Sequence, residues 1–239
     1  MAGHGKKRHL KRLASPVAWG VGRKGINWAP KTSPGAHSRE ESMPLLVLIR
    51  DKLDLAENSR EVKRALNAGK ILVDGRRITD QNFGVGLMDT ISIPSQKNYY
   101  RTLFHGKKLT LLEIDEKRAG IKYCKVINKR SIKKGIVQLN LHDGRNLLVE
   151  KEEDRFKPGD TLKIAVPMQK LEGFKKFEPG ARCLVYKGRH AGEIGELVEV
   201  SERAGSKPAD AKLKTPKGEI ITLKDYLFVV DSEFKGIEK

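Results

Sequence analysis

Residues Arg60–Ile78, REVKRALNAGKILVDGRRI, place a short basic helix directly before a tight hairpin. With side chains advancing about 100° per residue, Val62, Ala65 and Leu66 fall on one side of that helix. Arg60, Lys63, Arg64 and Asn67 share the opposite side, and Glu61 lies off this basic arc. Ser59 is the expected N-cap, and Gly69 stands where a helix commonly ends in the left-handed conformation. Asp74-Gly75 then marks a two-residue β-turn whose central residues need positive φ. The turn delivers Arg76 and Arg77 beside the strand that leaves Lys70. The positive charge is concentrated on one helix face and the adjoining hairpin.

Working outward, Pro44–Leu55 (PLLVLIRDKLDL) carries dense apolar positions after a proline suited to a helix's first turn. On the other side, Asp89–Ile93 (DTISI) alternates like a strand and stops at Pro94. Two helices, a hairpin and a strand make a small α+β module over residues 43–95. Ser59-Arg60, the basic helix, Ala68-Gly69-Lys70-Ile71 and Val73-Asp74-Gly75 resemble the S4 RNA-binding domain. Its usual core reads S-R-x-x-A-R-x-L-I-x-x-G-x-V-x-V-N-G. Here Val62-Lys63-Arg64-Ala65 shifts the alanine and Asp74 replaces the usual asparagine, a residue that tolerates the same turn.

The whole chain shares this charge bias. Its 239 residues hold 48 Lys plus Arg against 30 Asp plus Glu, a net +18. A surplus of that size repels itself in a compact state and points to a polyanionic partner. The length suggests two or three small domains rather than one core. No stretch approaches the ~20 consecutive apolar residues of a membrane span, and the basic N-terminus lacks the apolar core of a secretory signal. Cys124 and Cys183 are isolated, without a nearby histidine pair. They indicate buried thiols in a reducing compartment rather than a disulfide framework or a zinc site. No metal and no cofactor are expected.

Residues 1–42 read as an extended basic arm. Lys6, Lys7, Arg8, Lys11, Arg12, Arg23, Lys24, Lys31 and Arg39 oppose only Glu40 and Glu41, nine minus two, a surplus of seven. A Gly-, Pro- and Ser-rich segment of this kind orders against whatever neutralises it. His9 joins the phosphate-contact candidates. Trp19 and Trp28 leave two readings: stacking on bases, or docking on the protein's own body. Gly20–Gly25 (GVGRKG) satisfies G-x-G-x-x-G, but the pattern needs a preceding strand and a following helix to cradle a pyrophosphate, and neither is expected.

From 96 to 171 the sequence reads as strands: LTLLEI, KYCKVI, GIVQLNL and RNLLVE, with His142-Asp143-Gly144 as a turn and Lys157–Val166 as a turn followed by a strand. Lys129, Arg130, Lys133 and Lys134 form a basic cluster there. Nothing in this segment has catalytic spacing. Residues 172–239 open with a strand at Ala181–Tyr186, the basic loop Lys187-Gly188-Arg189-His190-Ala191-Gly192 and a strand from Ile194. Glycines 180, 188, 192 and 195 permit a tight turn. DAKLKTPKGEIITL and YLFVV supply further strands. This resembles a KOW motif, the loop-and-strand element of SH3-like barrels in ribosomal and transcription-elongation proteins.

The fold expected is therefore α+β and multidomain. It comprises a basic arm (1–42), an S4-type module (43–95), a β-rich central domain (96–171) and a KOW-bearing SH3-like β-barrel (172–239). Together with the opening MAGHGKKRHLKRLASPVAWGVGRKGINWAPKTSPGAHSREESMPL, this order resembles the archaeal and eukaryotic S4e family of small-subunit ribosomal proteins. The resemblance implies a structural constituent of the ribosome without enzymatic activity. It would bind small-subunit rRNA beside neighbouring ribosomal proteins in the cytoplasm, with no membrane and no small-molecule substrate. RNA contacts are expected from Lys6, Lys7, Arg8, His9, Lys11, Arg12, Arg23, Lys24, Lys31, Ser59, Arg60, Lys63, Arg64, Asn67, Lys70, Arg76, Arg77, Lys187, Arg189 and His190. Two rival readings fit less well. A pseudouridine synthase needs a large catalytic domain with an Arg-Leu-Asp motif, which KLDL (Lys52–Leu55) echoes poorly and inside the module's own helix. A transcription factor leaves the S4 unit and the arm unexplained.

Overall fold

The computed structural model describes residues 9–22, 24–132, 135–151, 154–203, 208–232 and 234. The fold is α+β, mostly strand with few helices, and no described helix is long and apolar enough to cross a membrane. The chain forms two compact units, Met1–Thr102 with Lys108–Ala119, and Leu103–Lys107 with Gly120–Lys239.

In the first unit, β1 (Leu10–Lys11) pairs with β2 (Trp28–Ala29), and β3 (Met43–Pro44) leads into α1 (Leu45–Val47). The helix continues as a π-turn over Leu48–Lys52. It is thus shorter than the Pro44–Leu55 segment expected, with Pro44 as its N-cap and Asp54 beyond its end at φ 53°. Next come α2 (Ser59–Asn67), β4 (Leu72–Val73), β5 (Arg76–Arg77), β6 (Gly84–Val85) and β7 (Thr90–Ile93). They are followed by β8 (Asn98–His105), β9 (Lys108–Glu113) and α3 (Glu116–Ala119). The sheet order is β5-β4-β7-β8-β9, while β6 pairs with β3. Pairing of β7 with β8 carries this sheet past residue 95, where the sequence reading ends the module. Leu45, Leu46, Leu48, Ile49, Val62, Leu66, Ile71, Val73, Val85 and Ile91 are buried here.

The described part of the arm is not extended. Trp19 is fully buried, and its indole Nε1 donates to the Ser42 carbonyl at 2.6 Å. Ser33 donates from its backbone N to Asn82 O (2.8 Å) and from its hydroxyl to Asp80 Oδ2 (2.7 Å). His37 Nε2 lies 3.1 Å from the Asp89 carboxylate, both side chains 3% exposed. These contacts account for the difference from the sequence reading: a few anchors with saturated hydrogen bonds offset the ordering entropy of a glycine-rich segment. For Trp19 the choice falls on docking; Trp28 remains 55% exposed.

The second unit holds two antiparallel five-stranded sheets. The first contains β10 (Ile121–Ser131), β11 (Ile136–Leu141), β12 (Asn146–Glu150), β13 (Thr161–Ala165) and β14 (Lys170–Lys175), in the order β12-β11-β10-β13-β14. Its core is Cys124, Val126, Val137, Leu139, Leu141, Phe156, Leu162 and Ile164. The second contains β15 (Arg182–Val185), β16 (Ile194–Ser201), β17 (Asp210–Thr215), β18 (Gly218–Leu223) and β19 (Leu227–Val229), in the order β18-β17-β16-β15-β19. Its core is Cys183, Val185, Leu197, Ala211, Leu213, Leu227 and Val229. The sequence reading missed β14: KLEGFK lacks β-branched residues and alternation, and its strand forms because β13 offers a paired edge. Tyr226 of YLFVV belongs to a 3-10 turn before β19.

Candidate nucleic-acid interface

The basic face of α2 is built by its ends as much as by its periodicity. The N-cap is Asn58, not Ser59, and its Oδ1 accepts the amides of Arg60 (3.0 Å) and Glu61 (3.1 Å). Glu61 returns the interaction, its carboxylate accepting from Glu57 N (3.0 Å) and Asn58 Nδ2 (2.6 Å). This reciprocal cap resembles the capping box, and it consumes the helix's one acid at the end where a negative charge is favoured. At the other end Lys70 N donates to Ala65 O (3.1 Å) and Gly69 N to Leu66 O (2.9 Å), the Schellman pattern. Val62 and Leu66 are fully buried, which turns Arg60, Lys63, Arg64 and Asn67 to solvent.

The hairpin extends that surface. Asp74 (φ 51°) and Gly75 (φ 71°) form the expected turn, pairing Val73 with Arg76 and Leu72 with Arg77. Arg76 and Arg77 are exposed. Arg77 Nη2 donates to the carbonyl of Asn67, so the hairpin also closes the helix terminus. Gly69 serves twice here: it takes φ 71°, and a Cβ on it would lie 3.3 Å from the Arg77 side chain. Asp74 itself is buried, its Oδ1 accepting from Thr90 N at 3.0 Å. Its carboxylate therefore faces the core rather than a ligand. Ser59, Arg60, Lys63, Arg64, Asn67, Lys70, Arg76 and Arg77 are all exposed, and no acid lies on the α2 arc.

In the arm, His9 and Lys11 sit at Trp28: the imidazole is 5.6 Å from the indole and Lys11 Nζ 5.9 Å from it. Lys31 is half-buried nearby and Lys24 is exposed. Arg12 is half-buried, its Nε donating to Gly22 O at 2.5 Å. Lys6, Lys7, Arg8 and Arg23 lie outside the described residues, as do Lys133 and Lys134 of the central cluster. Of that cluster Lys129 pairs with Asp154 and donates to Phe156 O (3.0 Å), leaving Arg130 exposed. The Gly20–Gly25 loop follows a 3-10 turn and precedes β2, so its amides open no helix and cannot act as a nucleotide loop.

The second unit presents a further basic cleft. Lys187 Nζ is 5.6 Å and Lys125 Nζ 5.7 Å from the Tyr186 ring, and Lys224 Nζ lies 5.7 Å from Phe177. Lys125 also donates to Asp225 O at 2.8 Å. Burial pushes its pKa down to about 8, and Lys224 and Lys187 add to that against the upward pull of Asp225. Arg189 is exposed, while His190 Nδ1 stands 3.5 Å from Glu193. Sequence reading missed Lys125 and Lys224, because they reach this cleft only through the packing of distant strands.

Among the described residues, one cluster has the donor types of a metal site. Cys124, His142 and Asp143 present ligand atoms within 4.8 Å of one another. Its carboxylate, however, already holds two cations: Lys122 Nζ at 3.0 Å and Arg145 Nε at 3.1 Å from Asp143 Oδ2. Burial works to raise the Asp143 pKa, but Lys122, His142 and Arg145 outweigh it and hold the carboxyl below its usual range. The residues do not fit a metal; this is an internal ion pair. Both cysteines are buried and outside any disulfide, and burial pushes the Cys183 thiol up to about 12.

Three segments match known family descriptions: residues 4–40 the RS4NT (NUC023) domain, 43–91 the S4 domain and 95–171 the ribosomal family S4e. The chain is 43% identical over 235 residues to small ribosomal subunit protein eS4 of Methanothermobacter thermautotrophicus, spanning 98% of this chain and 96% of the relative. It is 44% identical over 240 residues to the eS4 protein of Methanocaldococcus jannaschii, spanning 98% of each. The crystal structure of the 30S ribosomal protein S4e from Thermoplasma acidophilum superposes with a TM-score of 0.68 at 31% identity. That match covers 81% of this chain and 96% of the other. Near-complete coverage in the same order of segments leaves one assignment: the chain belongs to the ribosomal S4e family.

Proposed function

We propose that this protein is a structural constituent of the small ribosomal subunit that binds and stabilises folded rRNA in the cytoplasm, beside other ribosomal proteins. It performs no catalysis, in keeping with a family of structural ribosomal proteins. The observation that carries the reading is the exposed, acid-free face of α2 continued by Arg76 and Arg77, within a segment matching the S4 domain. Such a face neutralises phosphates and releases their counterions. Since side chains do not enter A-form RNA's deep groove, shape governs recognition and phosphate contacts set register.

The arm residues and the Lys187, Arg189 and His190 loop add contacts of the same kind. The four-part division at 42, 95 and 171 is our reading of the chain, with family matches at 4–40, 43–91 and 95–171 in its favour. For residues 172–239 we read an SH3-like barrel with a KOW loop. The strand order β18-β17-β16-β15-β19 and the 3-10 turn before β19 support it.

The test is sedimentation of the tagged protein from cell extract at ordinary and high salt. Stoichiometric migration with the small subunit that survives the salt wash is expected. Trace or salt-labile association would overturn a structural role. In parallel, Arg60→Ala with Arg64→Ala is expected to lower the slope of log affinity for rRNA against log salt by roughly 1.5, with the thermal transition little changed. An unchanged slope would make that face a solvated surface only.

A further inference from the structure

We propose that a recess beside Trp28 holds one unstacked RNA nucleotide, its base lying on the indole and its edge reaching Gln81. The proposal rests on the RNA-binding reading above and deepens it: that reading named His9 and Lys31 as RNA contacts and left Trp28 open between base stacking and docking, whereas Gln81 and the recess itself had no part in it. The recess, of about 460 Å³, is lined by His9, Trp28, Lys31, Ser33, Gln81 and Asn82 among others. That volume falls in the ~300–1,000 Å³ range of small-ligand sites.

Three observations converge there. First, Trp28 is 55% exposed although Trp19, nine residues earlier, is fully buried. Burying so large a ring is normally favourable, so an exposed one beside cations is a stacking platform in want of a partner. The register Lys11↔Trp28 between β1 and β2 fixes the cation beside the ring, and His9 tilts against it at 57°. Second, Gln81 Oε1 is buried with no hydrogen-bond partner among the described residues. An orphan acceptor is a costly feature that a donor would relieve. The exocyclic amine of adenine, cytosine or guanine is such a donor, and Gln81, which lines the recess, would meet it once its amide turns outward.

Third, the walls are held in advance. Asp80 accepts from the Ser33 hydroxyl and from Asn82 N (2.9 Å), Ser33 N donates to Asn82 O, and Leu46 N donates to Gln81 O (2.9 Å). Binding thus orders little that is not already ordered, which favours affinity. Asp80 is satisfied within this network, and Lys11 and His9 stand beside Trp28 to meet the phosphates. Single-stranded loops and bulges are where RNA offers splayed bases.

The test uses the full chain and a small-subunit rRNA transcript, with affinity measured across a salt titration. Trp28→Ala is expected to weaken binding about ten-fold at every salt concentration without changing the slope, since a stacked base carries no charge. Trp28→Phe keeps a ring and is expected to recover most of that loss. Gln81→Leu, which removes the acceptor while filling its volume, is expected to weaken binding about five-fold. Emission from buried Trp19, the sole tryptophan of the Trp28 variants, and the thermal transition for Gln81→Leu report that each variant is folded. If Trp28→Ala binds like the wild type while the salt slope of the wild type is steep, the recess is not a nucleotide site and the RNA-binding reading stands. The same result with loss of a neighbouring ribosomal protein from the assembled subunit would make the recess a protein contact and overturn the proposal. A wild type that shows no salt-dependent binding would remove the broader reading and this proposal with it.

Discussion

Lys122 shows how much a single residue's meaning depends on its partner. Alternation along β10 puts Lys122 on the same face as Cys124 and Val126, and the side chain is 1% exposed. A lysine there is tolerable because Asp143, in the turn after β11, meets it at 3.0 Å with Arg145 alongside. Removing one partner leaves an uncompensated buried charge, so Asp143→Asn is expected to destabilise by roughly 3–5 kcal/mol in chemical denaturation. The folded-state pKa of Asp143 is depressed, so its contribution is complete above its unfolded value, about 3.9, and is lost as pH falls through the folded value. The variant's acid limb is therefore flatter than the wild type's. Lys125 gives a slope of the same sign at higher pH, although there it is the charged form that burial disfavours. Its folded pKa of about 8 lies below the unfolded ~10.4, so between these values the unfolded chain binds the extra proton and stability rises with pH. Lys125→Met is expected to lack that rise, which equilibrium unfolding at pH 7, 8, 9 and 10 reads directly. Parallel curves would mean that Lys125 titrates as an ordinary surface lysine.

Among the elements, α2 and its hairpin work as one piece. The cap at Asn58, the Schellman end at Gly69 and the bond from Arg77 to the Asn67 carbonyl hold the basic arc in a single orientation before any ligand arrives. Seating of the arm segment is just as specific. His37 packs so closely over Gly86 that a Cβ on that glycine would stand 2.3 Å from the imidazole. Asp89 accepts from Gly86 N at 2.8 Å and faces His37, which ties the three together. Gly86→Ala is expected to displace His37 at a cost of ~1–3 kcal/mol and to raise limited trypsin cleavage at the already exposed Arg39 by loosening the backbone there. If cleavage at Arg39 is unchanged, His37 is not what anchors the segment.

For the molecule as a whole, the net charge of +18 decides how it must bind. If six to ten phosphates are neutralised, affinity for rRNA is expected to fall about 10³–10⁵-fold between 50 and 200 mM salt, measurable by filter binding. A shallow dependence would mean that apolar or base contacts dominate. Each unit carries basic surface of its own, α2 and the arm in the first and the Lys125, Lys187 and Lys224 cleft in the second. That distribution suits a protein whose task is to brace folded RNA at several places.

Much of this was legible from residue order, because the features concerned are local. The two faces of α2 follow from a 3.6-residue period, the Asp74-Gly75 turn from the conformations those residues accept, and most strands of the second unit from β-rich runs between turn residues. The acid-free basic arc needed no tertiary knowledge beyond which side was apolar. Three-dimensional packing decided the rest. It chose Asn58 over Ser59 as the cap, since both residue types can serve and only the path of the chain discriminates. It formed β14 on a neighbour's edge, buried Trp19 while exposing Trp28, and brought Lys125 beside Tyr186 across about sixty residues of sequence. Period and propensity act through neighbours in the chain, whereas burial, ion pairing and clefts arise from residues that become neighbours only on folding.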